Sequence, residues 1–203
     1  MSTATLFATT LFRSTLPSPS LLEELEASVW MIEDGDEAGH AWCEEQGYPG
    51  YTSYASLNDL PQRAPAFRDL KLVLDKQAEQ FAKALHWNTG NAQFVLDSFW
   101  INILGEGGNH SSHIHPNSVI SGTVYIAMPE GAGAIKFEDP RLPMMMAAPA
   151  LLPDAPRDAR RFFYETPKAG DILMWESWLR HEVVSGPHTE PRISISFNYS
   201  LTG

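Results

Sequence analysis

From Phe94 to its C-terminus the chain is cut into short alternating runs of apolar and polar residues, and this constrains the fold more than any other feature. Phe94–Leu104, Ser118–Met128, Ala134–Phe137, Asp171–Trp175, Glu182–Ser185 and Arg192–Tyr199 have strand length and strand composition, and Gly and Pro turns separate them. Residues 1–90 read differently. Thr5–Leu16 predicts a first strand, broken by Pro17 and Pro19. A capping-box pattern, Ser20 with Glu23, opens a predicted helix to about Glu33, with Leu21, Leu25, Val29 and Ile32 on one face. Gly35–Gly50 loses the period and reads as a long loop. A second helix starts near Pro65, with Phe67, Leu70, Leu74, Ala78, Phe81 and Leu85 along one stripe, and Asn88–Asn91 close it. Helices first and strands after imply an α+β, mainly β chain, with the N-terminal helices packed on one sheet of a β-sandwich.

A chain of 203 residues suits one domain. The expected division is 1–90 for the first strand and supporting helices, and 91–203 for the β core, with residues 140–161 inserted between strands. That insertion carries Pro140, Pro143, Pro149, Pro153 and Pro156, a Met144–Met146 run and four arginines. It reads either as a surface excursion or as a lid over a substrate. The balance of 14 basic to 25 acidic residues, a net charge of -11, disfavours phosphate backbones and anionic membranes, though a local basic pocket remains open. Cys43 is the only cysteine, so neither a disulfide framework nor a cysteine zinc cluster is available. No run reaches the roughly 18 apolar residues of a membrane span, and Met1–Ser20 holds no signal core. These features fit a cytoplasmic globular protein without nucleic-acid or membrane partners; oligomeric state is left open, a homo-oligomer included.

Histidine carries the chemistry. Of seven, five fall between His110 and His188, and two form His113-Ile114-His115. On an extended segment these two share a face and can reach one metal, while Ile114 packs the other way. His181 follows the predicted strand Gly170–Trp175 and supplies a third imidazole. Eleven residues on, Arg192, Ser194 and Ser196 share one strand face, and Ile193, Ile195 and Phe197 the other. An arginine facing an apolar interior needs an anionic partner, either an internal acid or a bound carboxylate, which its planar fork matches bidentately.

Taken in order, His113-Ile114-His115, Ser121-Gly122-Thr123-Val124-Tyr125-Ile126, Phe137-Glu138-Asp139-Pro140-Arg141, Gly170-Asp171 to His181, and Arg192-x-Ser194 resemble the 2-oxoglutarate–Fe(II) oxygenase superfamily. The pattern is similar to a bacterial and phage family with His-x-His-Pro, Ser-Gly-x-x-Tyr and Arg-x-Ser motifs. Leu6-Phe7, Gly50-Tyr51-Thr52-Ser53 and Trp100-Ile101-Asn102 extend the likeness over nearly the whole chain. The resemblance implies a double-stranded β-helix (jelly-roll, cupin-like) core, bound Fe(II) and 2-oxoglutarate as cosubstrate. It further implies a dioxygenase reaction with O2 that hydroxylates a small molecule or side chain and releases succinate and CO2.

Carried over residue by residue, His113 and His181 become metal ligands, Arg192 with Ser194 binds the cosubstrate tail, and Tyr125 and Asn117 are further cosubstrate contacts. One position departs from the superfamily norm, His-x-Asp or His-x-Glu: here it is His115. Either the site is a three-histidine one, the reading that strand geometry favours since it delivers His115 to the metal, or a carboxylate arrives from elsewhere, with Asp139 the first candidate and Glu106 a distant second. His110 is expected at the pocket rim or in solvent, His188 exposed, and His40 and His86 structural or on the surface. Substrate selectivity is expected from the 140–161 loop, from Tyr48, Tyr51 and Tyr54, and from Trp175 and Trp178. Two other functions compete: a three-histidine cupin-type dioxygenase that does not use 2-oxoglutarate, and a non-catalytic jelly-roll protein that binds a metal or ligand.

Overall fold

In the computed structural model, which describes residues 1–202, the helices precede all the strands but two short ones. The chain runs β1 (Phe12–Thr15), α1 (Pro19–Gly35), α2 (Glu37–Gln46), β2 (Gly50–Thr52), α3 (Leu60–Arg63) and α4 (Pro65–Ala84). It continues through β3 (Gln93–Leu104), β4 (His110–His113), β5 (Ile120–Ala127), β6 (Ile135–Glu138), β7 (Phe162–Glu165), β8 (Asp171–Glu176), β9 (His181–Val183) and β10 (Arg192–Thr202). Two antiparallel sheets result, one ordered β1-β8-β5-β10-β3-β2 and the other β4-β9-β6-β7. This is a mainly β jelly roll with helices on one sheet.

Side-chain alternation makes the larger sheet a wall between two environments. Ile193, Ile195 and Phe197 of β10, Ile120 and Val124 of β5, Ile101 and Ile103 of β3, and Ile172 and Met174 of β8 all enter one core. Opposite them stand Leu21, Leu25, Val29 and Ile32 of α1 and Phe67, Leu70, Leu74, Ala78 and Phe81 of α4. Burying each large side chain in this layer contributes about 1.5–3 kcal/mol. The alternate residues point inward: Arg192, Ser194, Ser196 and Asn198 from β10, Trp100 and Asn102 from β3, and Thr123 and Tyr125 from β5. A smaller inner core of Tyr125, Ile135, Phe137, Leu173, Trp175 and Leu179 joins the two sheets.

Several local expectations are corrected. The N-cap of α1 is Ser18, whose Oγ accepts from Leu21 N with Pro19 in the first turn, so Ser20 already lies inside the helix. The predicted loop over Gly35–Gly50 holds α2, started by Asp36, whose carboxylate accepts from Gly39 N, and stopped by Gly47 in the left-handed region. Only Gly39 and Cys43 of α2 are buried, so no apolar stripe announces it. Gly50 begins the edge strand β2 where a Cβ would sit 2.1 Å from the Ile103 carbonyl oxygen, an approach that only glycine permits. The strand expected at Thr5–Leu16 is confined to Phe12–Thr15. His188 is buried rather than exposed, its Nδ1 bonded to the Glu190 carbonyl. Residues 139–161 join β6 to β7 with two short 3-10 turns, and are mostly exposed. Among the described residues no helix is long and apolar enough to cross a membrane.

Candidate metal centre

Strand pairing brings the three histidines together from distant parts of the chain. His113 ends β4 and pairs directly with His181, which opens β9; Phe137 of β6 flanks His181 on the other side. His115 lies just past the end of β4, where its N–H donates to the Ser177 carbonyl at 3.0 Å. The ligating nitrogens of His113, His115 and His181 all lie within 4.8 Å of one another. Their ring centroids are 4.4 to 5.3 Å apart. A 2.7 Å hydrogen bond joins His113 Nδ1 to the Ser111 carbonyl, and a 2.9 Å bond joins His181 Nδ1 to that of Leu179. A carbonyl oxygen only accepts, so both protons sit on Nδ1 and both Nε2 lone pairs are free. Such an outer partner is the usual companion of a metal-binding imidazole.

The electrostatics favour neutral rings at His115 and His181. Burial pulls His181 down to about 3, reinforced by His113, while burial and His113 together lower His115 to about 4. Trp175 packs against His181 with its ring centroid 4.7 Å away, and Trp100 stands 6.0 Å from His115.

Arg192 faces the same cavity and is only 1% exposed. Its Nη1 donates to Ser194 Oγ at 3.2 Å, its Nε has no partner, and its guanidinium stands 5.3 Å from the Tyr125 ring centroid. The Tyr125 hydroxyl is buried and likewise without a partner. Among the described residues no carboxylate lies within ion-pair distance of Arg192, so the internal-acid alternative has no occupant. Burial lowers the Arg192 pKa, with the nearby Tyr125 and Tyr48 hydroxyls working against that. The planar fork of an arginine so placed has donors that match a carboxylate.

The cavity, about 730 Å³, is walled by Trp42, Tyr48, Tyr54, Trp100, Ile114 and Trp175, with Asn102, Thr123 and Ser196 on its floor. Its described lining contains no Asp, Glu or Lys, which leaves Arg192 as its formal charge besides the histidines. His110 is part of this lining, not in solvent: Tyr48 Oη and His110 Nε2 share a short hydrogen bond, and Tyr48 Oη also donates to Asn102 Oδ1 at 3.4 Å. Burial, then Arg192 and His113, bring His110 to about 4. Burial also raises the Tyr48 hydroxyl above its ordinary range.

Other expected site residues lie elsewhere. Asn117 sits in an exposed turn and does not line the cavity, because the chain folds outward after Pro116. Asp139 is held by Arg141 through two bonds, Nε to Oδ1 at 2.9 Å and Nη2 to Oδ2 at 2.8 Å, and it lines a separate cleft with Arg157 and Arg161. Glu106 is likewise absent from the cavity lining, and so is the whole 139–161 segment. Tyr51 points away from the cavity to Asp36, and Trp178 is half-exposed outside it. Sequence reasoning missed Trp42, Asn102 and Asn198. Asn198 continues the i, i+2 face of Arg192, Ser194 and Ser196, so that alternation would have found it.

Residues 98–198 match the family model described as "Putative 2OG-Fe(II) oxygenase". No curated protein matches the chain. Among solved structures, the fold is similar to a Pseudomonas putida prolyl-4-hydroxylase, with 14% identity, TM-score 0.63, and coverage of 96% of this chain and 94% of that one. It is also similar to HygX from Streptomyces hygroscopicus, a structure with nickel and 2-oxoglutarate bound, at 11% identity and TM-score 0.61, covering 95% and 82%. A third likeness is to a 2OG-Fe(II) oxygenase family oxidoreductase from Burkholderia pseudomallei, at 14% identity and TM-score 0.50. That match covers 68% of this chain, which spans 57% of the other. Residues 98–198, which carry the three histidines and Arg192, thus match the 2-oxoglutarate–Fe(II) oxygenases.

Proposed function

We propose that the protein is an Fe(II)- and 2-oxoglutarate-dependent oxygenase in which His113, His115 and His181 hold the metal and Arg192 holds the cosubstrate. The observation that carries this reading is the buried, acid-free Arg192 facing the same cavity as three converging imidazoles. The donor set fits a borderline metal such as Fe(II) through imidazole nitrogen. The unsatisfied Arg192 Nε and Tyr125 hydroxyl fit one carboxylate between them.

When bound, Fe(II) and 2-oxoglutarate supply the activation of O2 that couples cosubstrate decarboxylation, with release of succinate and CO2, to oxygenation of a substrate. The chain's own residues do the rest. Arg192 and Ser194 fix the far carboxylate of the cosubstrate and so orient its keto-acid end. Trp175 and Trp100 pack beside the imidazoles and keep bulk water away. Tyr48, Tyr54, Trp42 and Ile114 form the side on which a small molecule or side chain would lie. With Arg192 committed to the cosubstrate, a charged group entering with the substrate would meet no counter-charge in the wall, so the part that enters is neutral.

A three-histidine dioxygenase that dispenses with 2-oxoglutarate is favoured by one observation, the histidine at position 115. Arg192 stands against it, since such an enzyme leaves that cation without a role. Anaerobic addition of Fe(II) and then 2-oxoglutarate to the metal-free protein separates the two. The expected result is a visible absorption band that needs both additions, saturates at one equivalent, and is followed by succinate on admitting O2. Iron binding with no effect of 2-oxoglutarate would move the alternative forward, and no iron binding at all would reject the metal centre.

A further inference from the structure

The three candidate imidazoles all have Nδ1 occupied, but by different partners. His113 and His181 give theirs to backbone carbonyls two residues back. For His115 the partner is a side chain: its Nδ1 faces Asn198 Nδ2 at 3.4 Å. Asn198 is 4% exposed and projects from β10 on the face that also carries Arg192 and Ser194. Its Oδ1 accepts from Ser121 Oγ at 2.7 Å, and Ser121 Oγ lies 2.8 Å from Ser177 Oγ. The Ser177 carbonyl in turn accepts the backbone N–H of His115. Hydrogen bonds therefore close a loop through His115, Asn198, Ser121 and Ser177, gripping that histidine by both ring and main chain.

A carboxamide has a donor end and an acceptor end, and only one of them suits metal binding. With Nδ2 toward the ring, Nδ1 must accept, and the ring proton is left on Nε2, where it blocks a metal. Turned by half a rotation, Oδ1 accepts from Nδ1–H and the Nε2 lone pair is free. Nδ2 then donates to Ser121 Oγ, whose hydroxyl donates to Ser177 Oγ, so the loop stays satisfied because hydroxyls reverse without cost in partners.

We infer that Asn198 is the positioning residue of His115, presenting its oxygen to Nδ1–H so that Nε2 faces the metal. This inference rests on the metal centre proposed above. It makes Asn198 a neutral counterpart of the carboxylate that often backs a metal-bound histidine. It also explains how a histidine can serve where the superfamily pattern has an acid: the loop supplies the orientation that backbone carbonyls give to the other two.

The test is calorimetric titration of the metal-stripped full chain with Ni(II), with thermal unfolding run alongside. Asn198→Leu should weaken Ni(II) binding about 10–100-fold, the range for lost outer partners. Asn198→Asp, which can only accept from Nδ1–H, should bind Ni(II) at least as tightly as the wild type. In a His115→Ala background, Asn198→Leu should add no further loss, because Asn198 acts through that ring. Wild-type affinity in Asn198→Leu, lost affinity in Asn198→Asp, or an additive loss in the double variant would each overturn the role. Should Asn198→Leu fail to fold, the Asn198→Asp result still decides. If the wild-type chain binds no Ni(II), the metal centre itself falls and this role with it; if it binds and Asn198→Leu matches it, only the positioning role falls.

Discussion

Replacing Arg192 by Met should make the metal-free protein more stable while ruining its affinity for 2-oxoglutarate. The side chain is buried to 1% exposure, makes one hydrogen bond, to Ser194, and has no carboxylate partner among the described residues. Methionine has similar length and no charge to desolvate. Substituting apolar groups for buried ionic ones often stabilises by about 1–4 kcal/mol. At about 2–4 °C per kcal/mol for a chain of this size, Tm should rise by roughly 2–16 °C. Binding moves the other way. Truncating one partner of a buried, hydrogen-bonded charge pair costs about 2–5 kcal/mol. That converts to about 30- to 5,000-fold weaker 2-oxoglutarate binding. Thermal unfolding of the metal-free proteins gives the first number, and calorimetry of the Ni(II)-loaded proteins with 2-oxoglutarate gives the second. Unchanged 2-oxoglutarate affinity, or a metal-free variant less stable than the wild type, would refute the view of Arg192 as a cation waiting for an anion.

Other perturbations test the rest of the site. His113→Ala, His115→Ala and His181→Ala should each abolish or severely weaken Fe(II) binding, whereas Asp139→Ala should leave it unchanged; loss of iron in Asp139→Ala would reinstate that carboxylate as a ligand. His110, His115 and His181 are held at about 4, 4 and 3, below the ordinary 6.5, so the unfolded chain takes up protons that the folded chain refuses. The stability of the metal-free protein should therefore be full above about pH 6.5 and fall as the pH drops from there toward 4; a flat urea midpoint across that window would contradict the burial of these rings. Gly122→Ala places a Cβ 2.3 Å from the Phe197 ring and 2.6 Å from the Leu173 carbonyl, and should cost about 1–3 kcal/mol of stability in denaturant unfolding.

The parts of the site legible in the sequence are those whose geometry is local. His113 and His115 are close in sequence, and the β10 face follows from strict alternation, so periodicity alone brings Arg192 and Ser194 inward. The helices α1 and α4 were legible because their apolar stripes are long. The helix α2 was not, because it is anchored by Asp36 and by the buried Gly39 and Cys43 rather than by a stripe. The Tyr48–His110 pair joins residues 62 apart and depends on β2 pairing with the edge of β3, which no local pattern encodes. In the sequence, strand alternation favours His115 as the third ligand, but Asp139 stays open because spacing alone does not say where its loop turns. The structure commits Asp139 to Arg141 and turns it into a different cleft.

The edge strand β2 has a consequence for how such a protein can change. Trp42, Tyr48 and Tyr54 reach the cavity from α2 and the turns around β2, outside the 98–198 span that carries the three histidines and Arg192. Part of the cavity wall thus comes from a stretch of chain separate from the histidines and Arg192, joined to them by a short ladder over Gly50–Thr52. Substitutions at Trp42 and Tyr54 can reshape what the cavity admits without touching His113, His115 or His181. A library confined to Trp42 and Tyr54 is therefore the economical place to look for altered selectivity with iron and cosubstrate binding intact.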